Sequence, residues 1–169
     1  AKKLNASFLS SKTDYNLVEA KLTFPRDWGL GTSSTLIANI AQWANVNPYR
    51  LLASTFGGSG YDIACAQYNT PILYRSNEYM PSVSKVNFQP NFSDQLHFVY
   101  LNQKKNSRDA INNYRKLDFD KTVLISKIDA ITDKILKCKN VKEFAVLLNT
   151  HEAILSETLK IPTIKETLF

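Results

Sequence analysis

The five glycines of this 169-residue chain are confined to two short stretches, and both constrain the backbone around them. The first stretch, Phe24 to Thr35, reads F-P-R-D-W-G-L-G-T-S-S-T, and the second, Gly57 to Ala66, reads G-G-S-G-Y-D-I-A-C-A. Glycine permits tight turns and lets a ligand approach the backbone closely, because it has no Cβ. The two stretches therefore predict two turns of unusual shape.

The first glycine stretch lies between a predicted strand and a predicted helix. Apolar and polar residues alternate from Val18 to Phe24, which predicts a half-buried strand that ends at Pro25. Apolar residues then recur at helical spacing from Thr35 to Ala44. The start of a helix offers unpaired N–H groups and a partial positive charge, which suit a phosphate group. A plain Ser/Thr helix cap after a glycine turn explains the same residues equally well.

The rest of the sequence predicts short strands in its first part and longer helices towards its end, which is the pattern of an α+β protein. The predicted helices cover residues 4–9, 35–44, 48–55, 62–67, 109–117, 119–136 and 141–159. The predicted strands cover residues 18–24, 71–74, 83–88 and 96–101.

Composition and charge exclude several classes of protein. A hydrophobic content of 44% is typical of a folded globular chain, and no apolar run approaches the ~20 residues of a membrane helix. The net charge of +6 comes from scattered basic residues, so a site for small anions explains it as well as nucleic acid would. Cys65 and Cys138 favour free thiols in a reducing compartment over a disulfide. We therefore expect a cytoplasmic protein that binds neither nucleic acid nor a membrane.

The two glycine stretches together resemble the motifs of the GHMP small-molecule kinases, which include galactokinase, homoserine kinase and mevalonate kinase. Pro25 to Ser34 fits the family's phosphate loop, P-x-G-x-G-L-G-S-S-A, with three substitutions, at Asp27, Thr32 and Ser34. Ser59 to Ala64 fits the downstream pattern S-G-x-D followed by small residues. The nearest match is the phosphomevalonate-kinase branch, with its G-S-G-x-D-[IV]-A run.

The resemblance implies a two-domain α+β fold. A ribosomal-S5-like nucleotide domain would occupy residues 1–90, and a ferredoxin-like, helix-rich domain would occupy residues 95–169. It also implies ATP-dependent phosphorylation of a small acidic metabolite, with mevalonate or phosphomevalonate favoured, and ATP and Mg²⁺ as cofactors. The family's opening lysine motif and closing glycine-rich loop are not found in the sequence, so we expect a central part of such a kinase, truncated at both ends.

The resemblance also assigns roles to residues of both motifs. Asp62 would face the attacking hydroxyl as general base or electrostatic guide, and its structural alternative is a helix cap. Ser33 would bind magnesium, although Leu51 stands where mevalonate kinases have a glutamate, and a plain cap serine is nearly as good an explanation. The nucleotide phosphates would lie over the backbone of Gly29, Leu30, Gly31, Thr32, Ser33, Ser34 and Thr35.

A basic segment after the predicted strand 96–101 is the candidate acceptor loop. It contains Lys104, Lys105, Ser107 and Arg108, and phosphomevalonate kinases have a comparable loop near the acceptor site. Such a loop could clamp a carboxylate or phosphate, but a solvated charged loop explains it equally well.

The alternative function is a non-catalytic phosphate-binding or self-assembling module. If strands of the family's sheets lie outside these 169 residues, the strands 18–24 and 96–101 lack paired neighbours. We therefore expect the isolated chain to self-associate and to show no kinase activity.

Overall fold

Two compact units make up the described chain, which in this computed structural model comprises residues 1–10, 17–77, 80–102 and 107–168. The first unit is Ala1–Asn87 with Tyr100–Ser107, and the second is Phe88–Val99 with Arg108–Phe169. Within the described ranges there are seven α-helices and one two-stranded antiparallel sheet, so the predicted α+β class is confirmed at this level. None of these helices is both long enough and apolar enough to cross a membrane.

Three helices form the core of the first unit. They are α1 (Thr32–Ala44), α2 (Pro48–Ala53) and α3 (Tyr61–Gln67). Asn45 follows the last residue of α1 and adopts the left-handed conformation common at helix ends. Helix α2 begins at once, because Pro48 suits a first helical position and the Asn47 side chain accepts hydrogen bonds from the next turn. The buried core residues of these helices are Ile37, Ala41, Leu51, Leu52 and Ile63.

The sheet of the first unit follows α3 directly. Strand β1 (Ile72–Arg75) pairs antiparallel with β2 (Ser82–Lys85), and Tyr74 lies opposite Val83. The Tyr74 hydroxyl donates a hydrogen bond of 2.5 Å to the Ser59 carbonyl oxygen. This bond fastens the sheet to the second glycine stretch.

Helices dominate the second unit. They are α4 (Ser107–Lys116), which begins at the boundary with the first unit, α5 (Lys121–Ile135), α6 (Val141–Leu159) and α7 (Ile164–Leu168). The side chain of Asp120 accepts a hydrogen bond from the Val123 N–H and caps α5. Buried Phe92 packs on Phe144 of α6, with ring centroids 5.4 Å apart.

The predicted strand 18–24 is wrong over its described residues. The chain there forms no strand, and Leu17 and Val18 expose 81% and 58% of their surface. A sequence that alternates apolar and polar residues becomes a strand only where another strand supplies hydrogen bonds, and no described strand lies beside this one. A 3₁₀ turn, Arg26–Trp28, leads into the first glycine stretch instead.

Two further predictions fail for related reasons. Residues 96–101 form no strand, and Phe98 and Val99 are exposed, because no described neighbour pairs with this segment. Residues 4–9 form a series of turns rather than a helix. The Asn5 amide donates a hydrogen bond to the Ala44 carbonyl oxygen, and Phe8 packs edge-on against Trp43, so contacts with α1 fix this segment.

The remaining predicted elements are confirmed, most of them with shifted ends. Helix α1 starts three residues earlier than predicted, at Thr32, because Gly31 takes the cap position. Helix α5 starts two residues later, at Lys121, because Asp120 caps it. The division into kinase domains at residues 1–90 and 95–169 stays a prediction.

Replacing Asp120 with Ala should lower the free energy of unfolding by about 1 kcal/mol, because α5 loses its cap. Urea unfolding followed by circular dichroism measures this change. The control is Asp118→Ala, which removes the same charge from an exposed residue outside the helix. Equal losses for the two variants would contradict the capping role.

Candidate functional site

The first glycine stretch turns the chain into the start of α1. Gly29 and Gly31 both have positive φ values, 75° and 68°, and lie on either side of Leu30. A side chain is strained in this conformation, so two glycines are needed for the turn. The turn leaves Gly31 at the cap position of α1 and Thr32 as its first helical residue.

No side chain caps the start of α1. Gly31 has none to offer, and the N–H groups of Thr32, Ser33 and Ser34 have no acceptor in the described part of the chain. The first turn also contains no acidic residue. The predicted alternative of a plain Ser/Thr cap is therefore wrong, since the hydroxyl residues lie inside the helix. The structure leaves a helix start with free donors, which is the arrangement that binds anions.

The second glycine stretch places Asp62 against the first. Gly60, with φ of 82°, occupies the cap position of α3, and Asp62 is the second residue of this helix. A Cβ built on Gly31 would lie 3.3 Å from the Asp62 Cγ and 3.6 Å from its Oδ1. Two motifs that are far apart in sequence therefore meet at the start of α1. The alternative role of Asp62 as the cap of α3 is wrong, because Gly60 has that position.

The Asp62 carboxyl is half-buried, and this burial raises its pKa above the ordinary value of 3.8. Among the described residues, no charge or hydrogen bond offsets the loss of solvation. The Asp62 charge in turn raises the pKa of the neighbouring Tyr61 hydroxyl, with burial as the second cause. A poorly solvated carboxylate is a stronger proton acceptor than one in water, which is the property required of a general base.

The predicted metal ligand and acceptor loop receive less support. Ser33 is exposed in the first turn of α1, and no group of three metal-binding side chains occurs among the described residues. Lys104 and Lys105 lie outside the described residues. Ser107 and Arg108 begin α4, and their side chains also lie outside the description. The role of these four residues stays a prediction.

An aromatic pair beside the first glycine stretch was missed in the sequence analysis. The Tyr100 hydroxyl donates a hydrogen bond of 2.9 Å to the Asp27 Oδ2, and this bond raises the pKa of Tyr100. The Tyr100 ring lies 6.1 Å from that of Trp28. Asp27, which replaces a glycine of the family pattern, thus holds an aromatic side chain against the turn. The partners are 73 positions apart, so no local pattern could have revealed them.

A cavity of about 210 Å³ lined in part by Gly60 was missed as well. Helix α2, the Gly58–Gly60 turn and the end of β1 contribute its walls. Gly60 is tightly enclosed there, because a Cβ at this position would lie 3.1 Å from the Tyr74 hydroxyl and 3.2 Å from the Tyr49 ring. The sequence signal, a helix start at Asn47-Pro48, indicated the helix but not the cavity.

No family model matches the chain, and no curated protein or solved structure is significantly similar to it.

Replacing Asp62 with Asn should raise the melting temperature at pH 7. The folded-state pKa of Asp62 exceeds its unfolded value, so the folded state binds more protons between the two values, and wild-type stability falls as pH rises through that interval. The difference in melting temperature between Asp62→Asn and the wild type should be small near about pH 3 and should grow until the pH passes the raised pKa of Asp62.

Thermal unfolding by circular dichroism from pH 3 to pH 7 tests this expectation. Asp133→Asn is the control, because Asp133 is an exposed carboxylate on α5. A constant difference between the Asp62 variant and the wild type at every pH would show that burial does not raise the pKa.

Proposed function

We propose that the complete protein is a GHMP-type kinase that transfers the γ-phosphoryl group of ATP to a small acidic metabolite of the mevalonate or phosphomevalonate class. The observation that supports this proposal is the contact of Gly31 with Asp62. It brings the residue with the expected catalytic role to the loop with the expected phosphate-binding role. The finer two-domain GHMP fold belongs to the same proposal.

The uncapped start of α1 would hold the phosphates. The N–H groups of Thr32, Ser33 and Ser34 have no acceptor among the described residues, and the helix dipole adds positive potential at the same point. The glycine turn lets phosphate oxygens approach the backbone, since no Cβ projects from Gly29 or Gly31. Mg²⁺ would neutralise charge on the β- and γ-phosphates when bound with ATP, and the exposed Ser33 hydroxyl is the ligand that this loop offers.

Asp62 would act on the acceptor. Its carboxylate would lie beside the phosphate seat. With an alcohol acceptor such as mevalonate, it would accept the proton of the hydroxyl as that oxygen forms a bond to the γ-phosphorus; a phosphate acceptor such as phosphomevalonate would attack through an ionised oxygen, and Asp62 would then only orient it. The bond from the γ-phosphorus to the β–γ bridging oxygen breaks, and ADP leaves. Positioning and charge neutralisation supply most of the rate enhancement in such a transfer, so a single placed carboxylate is chemically sensible there.

The remaining predicted properties form part of the proposal. Cys65 and Cys138 are free thiols, which suits a cytoplasmic enzyme. The partner would be a small anion rather than nucleic acid.

Self-assembly is the second candidate function, and one observation favours it. The described segment 96–101 forms no strand with a described partner, and Phe98 and Val99 are largely exposed. Such a segment can add to the sheet of another chain. Light scattering combined with an ATP-consumption assay separates the two functions, because an oligomer without turnover would favour assembly.

Gly31→Ala should weaken ATP binding at least about tenfold, equivalent to about 1.4 kcal/mol. The added Cβ meets Asp62 at 3.3 Å and disturbs the phosphate seat. The matched control is Gly57→Ala, which introduces similar strain at a φ of 65° outside this loop and meets no atom within 4 Å. Calorimetry on the full-length protein provides the affinities. Equal and unchanged affinities in both folded variants would contradict phosphate binding at this turn.

Asp62→Asn should lower kcat by about 10²-fold or more, because the acceptor hydroxyl loses its proton acceptor. ATP affinity should stay nearly unchanged, since the phosphates are held by the backbone of α1. Steady-state kinetics with mevalonate, the acceptor that reacts through a hydroxyl, together with ATP calorimetry, measure both quantities. Turnover that stays near the wild-type rate would remove Asp62 from the mechanism.

A further inference from the structure

The cavity beside Gly60 has the size of a small-molecule subsite. Its volume of about 210 Å³ equals that of about seven water molecules, so it accepts part of a small metabolite. All of its lining residues belong to the first unit. The lining residues with polar side chains are Tyr49, Arg50, Ser59, Tyr74, Ser76 and Asn77.

The cavity is suited to an anion. Arg50 is the single charged residue among the described lining residues, and it forms no ion pair within the described ranges. Its guanidinium can bind a carboxylate or phosphate through two parallel hydrogen bonds. Ser59 and Ser76 supply hydroxyl groups. Asn77 already accepts a hydrogen bond from the Met80 N–H through its Oδ1, so its amide NH₂ is left to donate.

The cavity is also held close to Asp62. Gly60 lines the cavity and caps α3, and Asp62 follows two residues later, within about 7 Å of backbone. The Tyr74 hydroxyl fixes the Ser59 carbonyl oxygen at 2.5 Å, and the rings of Tyr49 and Tyr74 leave no room beside Gly60. These contacts fix the wall of the cavity at Gly60, two residues before Asp62.

We propose that this cavity binds the non-reacting anionic group of the acceptor, with Arg50 as its counter-charge. The inference rests on the proposed kinase function and specifies its substrate. The acceptor is an alcohol or a phosphate ester whose carboxylate lies several bonds from the reacting oxygen. This subsite, with Arg50 of helix α2, would be additional to the acceptor contacts predicted for the Lys104–Arg108 segment.

Arg50→Met tests the proposal. Methionine keeps the helix propensity of α2 and a similar apolar stem but removes the charge. The KM for the acceptor should rise at least about tenfold, while the KM for ATP stays within about twofold of the wild type. Arg50→Lys should recover only part of the loss, because an ammonium group cannot form the paired hydrogen bonds. The control is Arg115→Met, which removes an exposed charge from α4.

Two acceptors and one binding measurement separate the outcomes. A KM that rises for both acceptors supports the proposal, because both carry the carboxylate; a rise for phosphomevalonate alone would contradict it, because the phosphate is the group that reacts. An unchanged KM for both acceptors in a folded Arg50→Met variant with normal kcat would overturn the cavity proposal and leave the kinase proposal intact. A wild type without turnover would contradict the kinase proposal. In that case calorimetry with phosphomevalonate decides the cavity proposal: binding that Arg50→Met abolishes would support it, and the absence of binding to the wild type would overturn it as well.

Discussion

The packing of α1 against α3 is the constraint on which the candidate site depends. Ile37 and Ala41 of α1 enclose Ile63, the most deeply buried large side chain of α3. Successive residues of a helix point about 100° apart, so burial of Ile63 fixes the direction of its neighbour Asp62. That direction leads to Gly31, where only a residue without a Cβ leaves ordinary contact distances. The hydrophobic core thus determines where the carboxylate lies relative to the uncapped helix start.

The site is built from features that do not favour stability. Gly29 and Gly31 lower the stability of the folded state through their freedom in the unfolded chain, and the start of α1 leaves its N–H groups without acceptors. Burial makes the ionised Asp62 less stable in the folded protein, as its raised pKa indicates. Natural proteins retain such local costs mainly where a ligand or a reaction uses them. This coincidence of three unfavourable features at one point is a physical reason to look for function there.

Local signals in the sequence were sufficient for most helices and for the glycine turns, because caps and glycines act within a few residues. Helix α6 has its predicted ends, and Asn140 caps it through the Glu143 N–H. Strand predictions at 18–24 and 96–101 failed because alternation says nothing about whether a partner strand exists. The Asp27–Tyr100 bond and the Arg50 cavity join residues that only the tertiary fold brings together. The contact of Gly31 with Asp62 is of the same long-range kind, but the family resemblance suggested it.

The central claim is that the first turn of α1 binds the phosphates of ATP in front of Asp62. The most direct measurement is a titration of the ¹⁵N-labelled protein with a non-hydrolysable ATP analogue and Mg²⁺, followed through backbone amide resonances. The account predicts that the largest shifts at saturation occur at Gly31, Thr32, Ser33 and Ser34, with a smaller shift at Asp62. Saturable binding whose largest shifts lie outside the first turn of α1, or the absence of binding, would contradict it.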